Sequence, residues 1–247
     1  MRRSTRWLTP LSALALLGGS GAFPVVPVVD AYEAVQVADG GTIQGKVAFP
    51  GSPPPKKKVI PTKDKEACGS APRDVDQIVL GADKAVQEAV VYLQKVDKGK
   101  AWEKPAKTPE INNVKCDFQP HIQVMPVGDL DIVNSDPVLH NTHGFLDKLT
   151  VFNVALPNKD QRIKRPLRKP GLVRVECDAH GWMLGWIFVA ENPYYAVTGK
   201  DGSFTIKDVP PGSYTLVAWQ EFTGPVEIPV TVKAKEVVSV PVELKKK

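Results

Sequence analysis

Cysteine, methionine and histidine are rare in this chain: three cysteines, three methionines and four histidines occur among 247 residues. Three cysteines are too few for the disulfide-rich scaffolds that replace a hydrophobic core in small secreted domains. No segment sustains an apolar period of 3.6 residues, which argues against a helical bundle. The net charge of +5 is too small to indicate nucleic-acid binding. Phosphate-binding loops, nucleophile triads and paired-carboxylate motifs are also lacking, so nothing supports hydrolysis.

The first 31 residues have the composition of a secretory signal peptide. A basic start, MRRSTRW, precedes a short apolar stretch and small residues at which a signal peptidase can cut. We predict that residues 1–31 are removed and that the mature protein is periplasmic or secreted. An uncleaved signal anchor is the alternative. No later run is long and apolar enough to span a bilayer, so no integral membrane span is expected after cleavage.

The remainder of the chain is rich in glycine and proline, and its apolar residues alternate with polar ones in short runs. Alternation with a period of two is typical of half-buried strands, and the fold class predicted is therefore all-β. Three segments are distinguished: an N-terminal β segment at 40–100, a central domain at 101–192 and a C-terminal β-sandwich segment at 193–245.

The central domain contains every histidine of the chain and two of its three cysteines. The histidines are His121, His140, His143 and His180. In CDAHGWM, Cys177 lies three residues before His180, and Met183 three residues after it. One thiolate, imidazoles and a thioether suit a copper ion that alternates between Cu(I) and Cu(II), whereas structural zinc more often takes several cysteines. The pattern therefore predicts a mononuclear copper site.

Two separated motifs of this domain resemble those of the cupredoxins, the blue-copper electron carriers. The first motif comprises Phe118, Pro120, Gly128, Asp129, Asn134, Asp136, His140 and Asn141. The second is the Cys177, His180 and Met183 loop, whose short spacing is most similar to that of the amicyanins. The resemblance covers about 75 to 90 residues of the central domain.

The resemblance implies a Greek-key β-sandwich that holds one copper ion. It also implies the ligand set, in which His140, Cys177 and His180 form a trigonal group and Met183 is a weak axial ligand. A protein with such a site accepts and donates single electrons and is not an enzyme. Its partner would be another redox protein, a cytochrome or a dehydrogenase.

Three further polar residues are candidates for supporting roles. Asn141 follows a ligand and is expected to hydrogen-bond to the 177–183 loop, holding the two ligand loops together. We expect His121 and His143 to have structural or outer-sphere roles. If His121 were an additional or substitute ligand, the site would resemble an open red-copper centre with a small-molecule or catalytic role. A further alternative is that His121 and His143 bind a second ion. A copper-handling protein is a third class, although three methionines do not form the methionine-rich tracts typical of it.

Three cysteines in an exported protein imply one disulfide and one spare thiol. If the resemblance holds and Cys177 is the copper thiolate, Cys68 and Cys116 are left to pair. The rival arrangement joins Cys116 to Cys177 and leaves Cys68 free, which would abolish the copper site.

The C-terminal segment resembles the carboxypeptidase regulatory-like, or transthyretin-like, β-sandwich family. The residues of its DGxFxxxxxPPGxYxL pattern are Asp201, Gly202, Phe204, Pro210, Pro211, Gly212, Tyr214 and Leu216. The opening strands of that family resemble 42–47 and 89–93, more than a hundred residues earlier. We therefore expect a smaller antiparallel sandwich split by the central domain, with two tandem domains as the alternative.

Two surface features are relevant to partner binding. The basic run KDQRIKRPLRK at 159–169 is predicted to be a solvated loop that is able to steer an acidic partner. Trp182 lies between two candidate ligands and is predicted to contribute to an apolar docking patch around His180.

Overall fold

The computed structural model describes residues 32–246, and the predicted signal peptide lies outside the described residues. Within 32–246 nearly all of the regular secondary structure is β-strand, so the predicted all-β fold class is confirmed. No helix in this part of the chain is long and apolar enough to cross a membrane.

The N-terminal segment contains short strands, one helical turn and two longer strands. Its elements are β1 (Glu33–Ala34), β2 (Gly41–Ala48), β3 (Lys57–Val59), α1 (Lys65–Cys68), β4 (Arg73–Val75), a 3₁₀ turn (Ala82–Lys84), β5 (Val90–Gln94) and β6 (Lys98–Gly99). Within residues 32–246, strands β3 and β4 pair only with each other and form a separate two-stranded sheet.

Residues 110–190 form a nine-stranded sandwich, here called the central sandwich. Its strands are β7 (Glu110–Val114), β8 (Asp117–Gln119), β9 (Ile122–Pro126), β10 (Gly128–Asn134), β11 (His140–Leu146), β12 (Leu149–Leu156), β13 (Gln161–Leu167), β14 (Gly171–Cys177) and β15 (Leu184–Ala190). One sheet has the order β13-β10-β7-β8 and the other β12-β11-β14-β15-β9. Apolar side chains from both sheets, including Ile132, Val175 and Ile187, fill the space between them.

Alternation along β11 and β14 determines which polar side chains enter this core. Successive side chains of a strand point to opposite faces, and in β11 His140 and Thr142 are buried while Asn141 and His143 lie on the other face. In β14, Val173, Val175 and Cys177 are on the buried face. Thr142 is opposite Cys177 in the antiparallel pairing, so the core-facing histidine and the thiol lie at the same end of the sheet.

The second sandwich, here called the split sandwich, combines N-terminal and C-terminal strands. The C-terminal strands are β16 (Tyr195–Val197), β17 (Ser203–Val209), β18 (Gly212–Gln220), β19 (Gly224–Val232), β20 (Val237–Ser239) and β21 (Val242–Glu243). One sheet has the order β16-β5-β18-β19 and the other β17-β2-β20, with β21 also on β2. β20 and β21 run parallel to β2, whereas the other pairs are antiparallel.

Strands β2 and β5 occupy interior positions in these sheets although they precede the central sandwich in sequence. Tyr194 links the N-terminal segment to the C-terminal strands. It lies immediately before β16, where the chain re-enters the split sandwich. Its buried hydroxyl accepts a hydrogen bond from Lys100 N at 2.7 Å and donates one to Asp208 O at 3.0 Å.

The basic run at 159–169 is not the loop predicted from its polarity, because 161–167 form edge strand β13. Arg162 bridges Glu110 at 2.7 Å and Asp131 at 2.9 Å, and Lys164 bridges Asp131 at 3.0 Å. These pairs to the adjacent strand β10 and to β7 beyond it favour the extended backbone over a loop. Charged side chains on an edge strand also oppose pairing with other chains.

Replacing Tyr194 by Phe is expected to lower the free energy of unfolding by about 0.5–1.5 kcal/mol, since the hydrogen bonds to Lys100 N and Asp208 O are lost while these partly accessible backbone groups can bind water instead. Urea unfolding measures this change. Tyr195→Phe is the matched control, because no hydrogen bond to a protein group within residues 32–246 acts on the Tyr195 hydroxyl. Equal stability of the two variants would contradict the role assigned to Tyr194.

Candidate metal centre

Three donor atoms converge inside the central sandwich. The Nδ1 atoms of His140 and His180 are 3.1 Å apart, and Cys177 Sγ lies 3.8 Å from the first and 3.6 Å from the second. Both histidines are 0% exposed and Cys177 is 1% exposed. The structure thus brings together three of the four ligands predicted from sequence.

Each donor is positioned by a strand end or a tight turn. His140 begins β11 and Cys177 ends β14, which pairs with it. In the loop that follows, His180 N donates to Cys177 O at 3.2 Å, and Met183 N donates to His180 O at 2.9 Å. These two turns fold the loop so that the His180 ring faces the Cys177 sulfur.

The outer nitrogen of each imidazole is bound to a carboxylate. His140 Nε2 is 2.9 Å from Asp136 Oδ2, and His180 Nε2 is 2.8 Å from Asp64 Oδ2. Nε2 therefore carries the proton in both rings, and both Nδ1 atoms present lone pairs. Histidine ligands to metals typically donate their second ring N–H to a carboxylate in this way.

The donor set fits a single cation. Two nitrogen lone pairs 3.1 Å apart repel each other unless a positive charge lies near them. Donors in a trigonal plane around one ion, at bond lengths of about 2.0–2.3 Å, would be roughly 3.5–4.0 Å apart, close to the separations seen here. Thiolate and imidazole together are the donors of blue-copper sites.

Burial sets the protonation of the free site. Burial lowers the pKa of His140, which favours the neutral ring that can bind a metal, and hydrogen bonding to Asp136 opposes this shift. Burial also raises the pKa of the Cys177 thiol, against the effect of nearby backbone N–H groups that include Asn141 N. Metal binding must therefore displace the thiol proton.

Asp136 has a second role as the acceptor for a hairpin turn. Its carboxylate accepts hydrogen bonds from Lys115 N at 2.7 Å and from Cys116 N at 2.8 Å, in addition to the one from the His140 ring. Lys115 and Cys116 connect β7 to β8 with φ of 52° and 57°, the conformation of a two-residue turn with both central residues left-handed. Asn134 Oδ1 in turn accepts Asp136 N at 2.9 Å, which fixes the carboxylate.

A cap segment, defined as residues 57–75, covers His180. It contributes Asp64, and a disulfide between Cys68 and Cys116 attaches it to the central sandwich, leaving Cys177 as a free thiol. Arg73 adds a bidentate ion pair with Asp117. His180 is therefore beneath Asp64 and not in an open apolar patch.

Met183 and Asn141, two further residues predicted to act at the site, differ in burial and in their contacts. Met183 is 2% exposed and belongs to the core cluster that includes Cys177. Asn141 reaches the ligand loop through its backbone, because its N–H donates to Cys177 Sγ at 3.4 Å. Its side chain instead donates to Asn153 Oδ1 at 2.6 Å.

His143 lies on the opposite face of β11 from His140. Its Nδ1 is 3.1 Å from an Asp178 carboxylate oxygen, and its Nε2 is 2.9 Å from Thr150 Oγ1. Asp178 follows Cys177 in sequence, but it points to this exposed cluster, where its side chain is 52% exposed. Neither residue belongs to the converging donor set.

His121 is also separate from the donor set. Its Nε2 is 3.1 Å from Glu221 Oε1, and the indole N–H of Trp186 donates to the other oxygen of Glu221. Burial opposes the charged imidazolium, but the hydrogen bond and charge of Glu221 outweigh it, and the pKa of His121 is raised. The structure thus gives His121 a protein partner in the split sandwich.

Sequence reasoning identified neither carboxylate of the centre as a partner of a ligand. Asp136 was part of the first motif, and its position four residues before His140 is the signal from which the pairing could be found. Asp64 is 116 residues from His180, and no local pattern relates the two.

Similar structures among solved proteins include copper proteins. A purple cupredoxin from Nitrosopumilus maritimus is 22% identical over 33% of this chain and 99% of its own, with a TM-score of 0.30. Amicyanin from Paracoccus versutus is 17% identical over 40% of this chain and 97% of its own, with a TM-score of 0.31. A Cu-containing nitrite reductase from Thermus scotoductus is 25% identical over 38% of this chain but only 24% of its own, with a TM-score of 0.31.

A protein-family model described as polysaccharide lyase family 4, domain II, matches residues 182–240. This family differs from the carboxypeptidase regulatory-like family suggested by the sequence pattern, and that resemblance stays a prediction. No curated protein matches the chain.

Replacing Asp136 by Asn is expected to weaken the binding of copper by about 10- to 100-fold, because the His140 ring loses the acceptor that orients it. The same change is expected to lower the stability of the metal-free protein by about 1.5–3 kcal/mol, since an amide NH₂ would face buried donors. Competition with a chelator and urea unfolding measure the two effects. Asp129→Asn, an exposed change on β10, is the control, and equal behaviour of both variants would refute the assignment.

Removing the disulfide with Cys68→Ser and Cys116→Ser together is expected to speed metal release to a chelator at least tenfold, since the cap segment could then move off His180. Stability should fall by about 2–4 kcal/mol. Lys56→Ala, which breaks an exposed ion pair with Asp76 beside the cap segment, should change neither quantity. Unchanged release from a destabilised double variant would show that the cap does not control access.

Proposed function

We propose that this chain binds one copper ion at the candidate metal centre and acts as an exported one-electron carrier. The observation that supports this most strongly is the convergence of two imidazole Nδ1 atoms and one thiol in a buried site, with both Nε2 atoms already bound to carboxylates. Such a site has its ligands fixed before the metal arrives.

In this proposal His140, Cys177 and His180 would hold the ion, with Met183 as a fourth, weaker ligand. Thiolate and thioether stabilise Cu(I), imidazole serves both oxidation states, and the bound ion would supply reversible one-electron chemistry. One sheet holds His140 and Cys177 at the ends of two paired strands, and Asp136 and Asp64 fix the rings. Ligands that do not move between oxidation states allow electron transfer with little reorganisation.

Electron exchange with a protein partner is proposed to pass through the ligand loop. Trp182 packs against His180 with ring centroids 5.0 Å apart, and its indole N–H donates to Cys116 O at 3.2 Å. The partner class remains the one predicted from sequence, a cytochrome or a dehydrogenase. The disulfide is typical of an oxidising compartment and supports a periplasmic or secreted location.

The alternative of an open site with His121 as a ligand lacks support from the geometry. His121 is bound to Glu221 and is not among the donor clusters found within residues 32–246. A copper-handling role fits poorly with a 0% exposed His180 under a disulfide-linked cap segment, since rapid exchange needs accessible ligands.

The copper-loaded protein is expected to show an intense visible absorption from charge transfer between the Cys177 thiolate and Cu(II). Cys177→Ser should abolish this band, because a hydroxyl does not supply the thiolate orbital. Met183→Leu should keep the band and raise the reduction potential, because a hydrocarbon donates no electron density to Cu(II). Absorption spectroscopy and voltammetry measure these outcomes.

His121→Gln and His143→Gln are the matched controls for this series. Each removes an imidazole that lies outside the donor cluster, and the band should persist in both. Loss of the band in either control would show that a different set of residues binds the copper ion. A colourless wild-type protein after addition of Cu(II) would refute the proposed function.

A further inference from the structure

A cavity lies beside the metal centre, and the proposed electron-carrier function assigns it no role. Its volume is about 240 Å³, and it is bounded by the central sandwich, the cap segment and the turn after β18. Trp182, Leu184, Trp186, Val59 and Phe222 give it apolar walls. An engineered apolar cavity of about 150 Å³ accommodates benzene, so a single substituted ring fits this space.

The polar end of this cavity is the pair formed by His121 and Glu221. The Glu221 carboxylate accepts the Trp186 indole N–H and contacts His121 Nε2, and its side chain is only 15% exposed. Each carboxylate oxygen can accept a second hydrogen bond. An O–H group placed against the indoles would find a buried acceptor at this end.

The carboxylates that line the cavity are paired within the protein, whereas Lys57, an exposed lysine of the lining, has no ion pair among residues 32–246. Glu221 faces His121, Asp117 pairs with Arg73, and Asp76 pairs with Lys56 at 3.1 Å. A cationic ligand would have to compete with these partners, and an anionic group at the polar end would meet the Glu221 carboxylate. The lining therefore favours a neutral ligand with an aromatic ring and a hydroxyl.

Trp182 links the cavity to the metal centre. It lines the cavity, and the centroid of its ring is 5.0 Å from that of His180. His121, with 36% of its side chain exposed, leaves the cavity within reach of solvent. A ligand could thus enter from outside and lie one side chain away from a metal ligand.

We propose that this cavity binds a small neutral phenol, such as a hydroquinone, as an electron donor. The binding step is independent of the metal, whereas the electron-transfer step rests on the proposed function. In that step the phenol would give up one electron by way of Trp182 to the oxidised centre. Its O–H bond would break and its proton would move to the Glu221 carboxylate, leaving a neutral phenoxyl radical.

Calorimetric titration of the metal-free protein with hydroquinone tests the binding step. We expect saturable binding with one site per chain, and at least tenfold weaker binding of benzene, benzoate and benzylammonium. Glu221→Gln should weaken hydroquinone binding at least tenfold, while Glu227→Gln, an exposed change in the following strand, should not. Absence of saturable binding, or equal affinity for benzene, would overturn the proposal.

A second variant tests the same cavity without altering its polar pair. Val75 lines the cavity and is 39% exposed, so Val75→Trp should fill the space with little effect on folding. This variant should lose hydroquinone binding. In the copper-loaded protein, Cu(II) reduction should saturate at the hydroquinone concentration that saturates the metal-free protein, and Val75→Trp should slow it at least tenfold.

The outcomes separate the two proposals. Hydroquinone binding by a protein that never develops the thiolate band would contradict the copper centre and leave the binding site intact. A coloured protein whose Val75→Trp variant is reduced as fast as wild type would overturn the donor site and leave the proposed carrier intact.

Discussion

The carboxylate of Asp136 is the interaction on which the metal centre depends. It orients the His140 ring and accepts two backbone N–H groups from a turn whose residues have positive φ. That turn contains Cys116, and through its disulfide the same carboxylate supports the attachment of the cap segment. One buried acceptor therefore connects a ligand, a hairpin and the cover of the site, which makes its three hydrogen bonds mutually dependent.

The burial of both imidazoles follows from their partners. An imidazole N–H removed from water without an acceptor would cost free energy, and each ring here finds a carboxylate. The carboxylates also add negative charge near the donors, which favours binding of a cation over binding of a neutral molecule. His180 can thus be 0% exposed only because Asp64 reaches it from outside the central sandwich.

Local patterns in the sequence were sufficient for the fold class and for the donors that share a strand or a loop. Period-two alternation places His140 on the core face of β11 and His143 on the opposite face, so the separation of these residues follows from their spacing. The spacing of Cys177, His180 and Met183 similarly suits one tight loop. The pairing of Asp64 with His180 and of Glu221 with His121 joins residues about a hundred positions apart, for which local periodicity carries no information. The edge strand at 161–167 was missed because Arg162 and Lys164 pair with carboxylates on other strands, which the run itself does not contain.

The order of the strands explains how these distant residues meet. Strands β2 and β5 lie inside the split sandwich, so the chain must leave that sandwich, form the central sandwich and return to complete the first one. Tyr194 fixes the point of return by bonding to both Lys100 and Asp208. The split sandwich is then held against the side of the central sandwich that carries His121, and Glu221 on the turn after β18 reaches Trp186. Two continuous tandem domains would be joined by a single connection, which would restrain that contact less. The interrupted order therefore accounts for a cavity whose walls come from three parts of the chain.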